Sequence, residues 1–235
     1  MSQIIENIRL ELKANSREEL RESGKRFFRE PVNMYGMKTT DVTRISKKHL
    51  SKLNQPSKSE IFSYCEEMWQ SGMIEESFVA CGWAYSQRKN FISNDFQVFE
   101  RWVNQYISNW ASCDTLCNHT IGTFVEMYPS YLADLKRWAH SENRWVKRAS
   151  AVTLIIPAKE GLFIEDIFEI ANILLHDSDD MVQKGYGWML KAASKPYPDQ
   201  VFEYINRHKA TMPRTALRYA IEKLPVEMKK VAMEK

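Results

Sequence analysis

The chain has 235 residues, 44% of them hydrophobic and 27% charged, with a formal net charge of +3. That suits a water-soluble fold with a sizeable core; no apolar run approaches the roughly 18 residues that cross a bilayer, and acids interrupt the opening "MSQIIENIRLELKANS", so neither a membrane span nor a secretory signal is expected. The four cysteines lack framework spacing and sit in apolar surroundings, as the reduced thiols of a cytoplasmic protein do.

Taken in chain order, the pattern is helical almost throughout, with apolar residues recurring every three or four positions. "SREELRESGKRFF" opens with Ser16 and carries Glu19, which predicts a capping box. "TTDVTRISKKHLSKL" sets Val42, Ile45, Leu50 and Leu53 along one stripe. "NDFQVFERWVNQYI" predicts a helix burying Phe96, Phe99, Val103 and Tyr106. Trp69, Trp83, Trp102 and Trp138 are expected in the core. "SENRWVKRASAVTLI" and "SDDMVQKGYGWMLKAA" each begin with a capping residue, Ser141 and Ser178 or Asp179. Charge is uneven. Residues 25–58 hold nine Lys/Arg and two acids, and residues 160–183 hold seven acids and no Lys or Arg. One region could attract a polyanion while the other repels it, or the two could be solvated faces of opposite sign.

Three segments resemble one another: "VKRASAV" at 146–152, "VQKGYGW" at 182–188 and "PRTALRY" at 213–219, offset by 36 and 31 residues. Each has a small residue in fourth place (Ala149, Gly185, Ala216), and each follows another helical segment. A helix pair repeating at this interval predicts an all-α fold, an α-solenoid of HEAT-like pairs forming one repeat domain over residues 1–235, curved around a concave basic groove. The small residue would let neighbouring helices approach closely.

Metal or nucleophilic chemistry finds little support. Cys113, Cys117 and His119 are poorly spaced for zinc, and the five histidines are scattered. Bases interleaved with aromatics are the stronger signal: Arg144, Lys147 and Arg148 around Trp145; Lys184 and Lys191 around Tyr186 and Trp188; then Arg214 and Arg218. That pattern suits a nucleic-acid backbone, with rings free to meet bases or sugars. Trp110 and Asp114 differ by four positions and so share a helix face. Asp114 is the only charged residue in "SNWASCDTLCNHTIG".

Those residues, in the order Trp110, Asp114, Arg148, Trp188, together with "RFFREPVNMYGMKTTDVTRISK" and "EEMWQSGMIEESFVACGWA", resemble the bacterial HEAT-repeat DNA alkylation repair proteins, the AlkD-like alkylpurine DNA glycosylases. The resemblance covers most of the chain. It implies excision of positively charged N3- or N7-alkylated purines from double-stranded DNA, without metal or cofactor. Asp114, Trp110 and Trp188 would then be catalytic. DNA would be held by Arg148 at a phosphate, by Phe27, and by Lys147, Lys184, Lys191, Arg214 and Arg218. A solenoid of this kind is most simply a cytoplasmic, nucleoid-acting monomer. The sequence departs from the pattern at Phe27, where a member of the family carries a Tyr, and around Asp114, which lacks the second acid often found in the family motif. Two other uses of such a fold stay open: a non-catalytic module that binds damaged or branched DNA, and a protein-binding scaffold.

Overall fold

The computed structural model describes residues 2–234, and its contacts gather into two units, Met1–Leu116 and Cys117–Lys235. Both are helical, and no strand longer than one isolated bridge, Asn33 with Met73, occurs among the described residues. The all-α expectation therefore holds. No helix among the described residues is long and apolar enough to cross a membrane.

The first unit comprises α1 (Gln3–Ala14), α2 (Glu18–Lys25), α3 (Thr39–Leu50), α4 (Lys58–Trp69), α5 (Ile74–Ser86), α6 (Asp95–Gln105) and α7 (Trp110–Thr115). Helix α5 lies at its centre, packed on α3, α4 and α7. Trp69, Trp83 and Trp102 are buried as expected, and the α6 stripe ends at Val103 rather than at Tyr106. The half-buried Tyr106 instead donates its hydroxyl to Glu66 at 2.6 Å.

Two local expectations change. Helix α2 starts one residue late, with Arg17 as a cap that makes no side-chain bond. Arg17 N–H donates to Gly36 O at 3.0 Å, and Ser16 Oγ donates backwards to Lys13 O, so Ser16 is not available as the cap. The capping box belongs to α4, where Ser57 and Glu60 exchange bonds. On α3 the buried stripe runs through Val42, Ile45, Ser46 and His49; Leu50 and Leu53 are only half-buried. His49 is tolerated inside because its Nε2 lies 2.8 Å from a Glu11 carboxylate oxygen.

The second unit comprises α8 (Gly122–Met127), α9 (Leu132–Ala139), α10 (Arg144–Val152), α11 (Ile155–Lys159), α12 (Ile164–Leu174), α13 (Asp180–Ala193), α14 (Pro198–His208), α15 (Arg214–Ala220) and α16 (Val226–Met233). The three look-alike segments lie on α10, α13 and α15, which pack in that order, α10 on α13 and α13 on α15. Their partners form a second layer, α9 on α12 and α12 on α14, where Phe168 and Tyr204 stack with ring centroids 4.9 Å apart. This is the helix-pair stacking of an α-solenoid. The caps are Asn143 for α10 and Asp179 for α13. Ser141 does not cap α10; its hydroxyl accepts from Asn143 N–H one step earlier in the turn.

Small residues set the spacing of the stack, though the tightest approach is two positions beyond the expected one. A Cβ on Gly185 would meet Arg148 Cγ at 3.3 Å, which a side chain can yield. A Cβ on Gly187 would lie 2.8 Å from both the Ala216 carbonyl oxygen and Tyr219 Cβ. Gly187→Val is therefore expected to push α13 from α15 and to cost about 1–3 kcal/mol or more. In a chain of this size that lowers the thermal midpoint by roughly 2–4 °C per kcal/mol, readable by circular dichroism. An unchanged midpoint would show that the seam is looser than its geometry.

Candidate functional site

In the first unit, the expected residues Trp110, Asp114 and Phe27 are held by one local framework. Asn109 caps α7, its side-chain oxygen accepting from Ser112 N–H at 2.9 Å. Ser112 Oγ lies 2.7 Å from Ser77 Oγ, which pins α7 to the buried face of α5. Trp110 opens the helix and Asp114 follows one turn later; both are half-buried. The indole N–H donates to Phe27 O at 3.2 Å, and the ring stacks on Phe28 with centroids 5.4 Å apart. The Phe27 side chain is 75% exposed. Phe27, Phe28, Trp110 and Phe78 line a cavity of about 200 Å³. Immediately after α7 the backbone is π-helical over Leu116–Ile121, a geometry that recurs at functional sites.

The floor of that cavity depends on a buried pair that sequence reasoning missed. Glu75 and Glu76, in the first turn of α5, are 4% and 1% exposed. Glu75 accepts from the backbone N–H of Tyr35, Gly36 and Met37 at 2.9, 2.8 and 3.2 Å. Glu76 accepts from Arg9 Nε at 3.0 Å and from the Tyr35 hydroxyl at 2.7 Å. Burial, and then the Glu76 carboxylate, push the Tyr35 phenol above its ordinary range. Gly36 takes a φ of +90°, and a Cβ there would meet the Arg17 carbonyl oxygen at 2.5 Å. Only glycine fits this turn. The visible sequence sign is a pair of acids opening an apolar helix, where the dipole favours them.

In the second unit, the expected DNA contacts divide by environment. Lys147 pairs with Asp177, Lys184 with Asp180, and Arg144 with Asp179 at 2.8 Å. Asp166 and Glu169 pair with Lys136. Much of the acidic stretch is thus neutralised by neighbouring bases. Arg148 is 4% exposed; its Nη1 donates to the Met181 carbonyl, and its side chain lies against Gly185. This places Arg148 in the seam between α10 and α13. Lys191, in the last turn of α13, pairs with Glu222 at 2.9 Å and lies over the Tyr219 ring. Trp188 is half-buried one turn earlier and lines a cavity of about 610 Å³ together with Lys191. Arg214 and Arg218 on α15 are exposed. Trp138 is buried, and so are all four cysteines, each as a free thiol. The Cys65 thiol is pushed up by burial, which suits packing rather than reactivity.

What the first unit offers chemically is a carboxylate one helical turn from an indole, on a helix whose start is fixed by a cap and a buried hydroxyl pair. What the second offers is an indole beside ammonium groups. Comparison with known proteins gives both a context. The family model described as DNA alkylation repair enzyme matches residues 8–224. A solved structure, a predicted DNA alkylation repair enzyme from Enterococcus faecalis, superposes with a TM-score of 0.80 at 19% identity, covering 90% of this chain and 98% of that one. Among curated proteins, none matches.

Proposed function

Because the chain belongs to the family of DNA alkylation repair enzymes, we propose that it is a DNA glycosylase, hydrolysing the bond between deoxyribose and a positively charged N3- or N7-alkylated purine in duplex DNA. The observation that carries this proposal is Asp114, half-buried and fixed one turn after Trp110 within a chain of that family. A module that only bound DNA would gain nothing from a carboxylate set among phosphates.

Alkylation leaves the purine cationic, so the base departs as a neutral molecule when the C1′–N bond breaks. The electron pair goes to the base and the sugar becomes an oxocarbenium-like cation. Water then adds at C1′ and loses a proton, giving an abasic sugar. No metal or cofactor enters this scheme. Asp114 stabilises the developing sugar charge and orients the water. Preorganised electrostatic help of this sort is worth roughly 3–4 kcal/mol where a single group is removed. Trp110 presents its ring to the sugar, and cation–π attraction adds about 1–2 kcal/mol where water is excluded. Trp188 presents a ring face to deoxyribose. Phe27, exposed beside Trp110, touches the duplex in this reading.

Phosphate contacts are assigned first to Lys191 and to the exposed Arg214 and Arg218. Lys147 and Lys184 contribute field rather than free donors, since each is held by a more buried carboxylate, whereas the Glu222 that holds Lys191 is 49% exposed and readily displaced. Arg148 acts by holding α10 to α13, and so by fixing the helix that carries Trp188. The protein acts as a monomer in the cytoplasm, at the nucleoid.

The test is incubation of the purified chain with methylated duplex DNA, followed by chromatographic identification of what is released. Free 7-methylguanine or 3-methyladenine is expected. DNA binding without any released base would support the non-catalytic alternative.

A further inference from the structure

The cavity beside Trp188 has a wall assembled from residues far apart in the chain. Besides Trp188 and Lys191 it is lined by Lys159, Lys195 and Lys223, and no acid lines it among the described residues. Lys159 ends α11, Lys191 lies in the last turn of α13, Lys195 follows that helix, and Lys223 follows α15. A lysine at one helix C-terminus is ordinary, because it offsets the negative end of the dipole. Here three helices end around one hollow, and the ammonium groups they bring repel one another. Glu222 lies 2.9 Å from Lys191 and 3.4 Å from Lys223, but its side chain is 49% exposed, so an arriving anion displaces it at small cost. A volume of about 610 Å³ falls among ligand sites of roughly 300–1,000 Å³ and suits a nucleotide unit better than a bare ion.

We propose that this cavity is a phosphodiester-binding site, in which Lys159, Lys195 and Lys223 hold a backbone phosphate while Trp188 faces the adjoining sugar. Lysine binds phosphate as a mobile point charge, without reading sequence. The choice of DNA backbone over a free nucleotide rests on the function proposed above.

The test compares the full chain with its Lys195→Gln/Lys223→Gln variant, both checked for an unchanged thermal midpoint. Affinity for an undamaged duplex is measured by fluorescence anisotropy at several salt concentrations. The slope of log K against log salt is expected to shrink by about 0.9, the change for one phosphate no longer neutralised. An unchanged slope overturns the proposal. In a second arm, deoxyadenosine monophosphate is titrated against tryptophan fluorescence, with Trp188→Phe as control. Saturable micromolar binding that Trp188→Phe abolishes, with the DNA slope unaltered, would assign the cavity to a free nucleotide and likewise overturn it. Base release from methylated duplex is followed on the same preparations. Release with an unaltered slope keeps the glycosylase and removes this site; a reduced slope without release does the opposite.

Discussion

Asp114→Asn is expected to lower the rate of 7-methylguanine or 3-methyladenine release by about 100- to 1,000-fold while leaving affinity for undamaged duplex within a factor of two or three. The lower bound follows from what removal of a single preorganised electrostatic group costs in other enzymes. Asn matches Asp in shape, so α7 keeps its frame: the Asn109 cap, the Ser77–Ser112 hydroxyl pair and the Thr115 hydroxyl bonded to Ala111 O involve no atom of the Asp114 side chain. Only the charge goes. A neutral amide can still orient water, but it no longer opposes the positive charge growing on the sugar. Affinity is spared because a carboxylate facing a polyanion adds nothing to ground-state binding. Single-turnover release assays and anisotropy on the same preparation separate the two effects. Release at the native rate would remove Asp114 from the reaction.

How far the sequence shows this site depends on the range over which each interaction acts. The helices and the split between core and partly exposed tryptophans follow from spacing within a dozen residues. Local periodicity reports such spacing well, because a helix buries one face whatever it packs against. Trp83, Trp102 and Trp138 are buried while Trp110 and Trp188 are not, as their polar neighbours indicate. Interactions across the fold leave no such trace. Lys147 meets Asp177 thirty positions on, so nothing in "NRWVKRA" indicates that this base is already paired. His49 is buried against Glu11 across a separation of 38 residues and occupies a place that periodicity assigns to Leu50. The Ser16 cap fails for the same reason: a backbone bond from Arg17 to Gly36 outcompetes a local motif. The pairing of Lys184 with Asp180, by contrast, is an i,i+4 contact and is open to reading. Three helix ends converging on one lysine-lined cavity leave no mark in the sequence, since each lysine alone is an ordinary C-terminal residue.

Another feature whose partners leave no mark in the sequence, the buried Glu75 carboxylate, supports the second large prediction. Glu75→Ala is expected to destabilise the first unit by about 3–5 kcal/mol, the cost of breaking a buried charged network from one side. Three backbone N–H groups, of Tyr35, Gly36 and Met37, lose their acceptor together. Each buried donor left unsatisfied costs on the order of 1–3 kcal/mol, reduced where water can reach the gap. The turn cannot relax easily, because Gly36 holds a left-handed conformation against Arg17 and Arg21 and its carbonyl accepts from Arg17. Residues of this turn line the same cavity as Phe27, Phe28 and Trp110, so loosening it frees the strap on which the Trp110 indole is tied. Urea unfolding should show the lost stability, and the fluorescence of Trp110 should become more exposed to a soluble quencher, a change that Trp110→Phe abolishes. Glu75→Gln separates charge from part of the bonding: its amide oxygen can still accept from Gly36 and Met37 N–H while its amide nitrogen faces Tyr35 N–H, so it should cost less than the alanine. An alanine variant within about 0.5 kcal/mol of the parent, the range of an ordinary surface substitution, would mean that the turn stands without its carboxylate, and that the position of Trp110 is set by Phe28 and α7 alone.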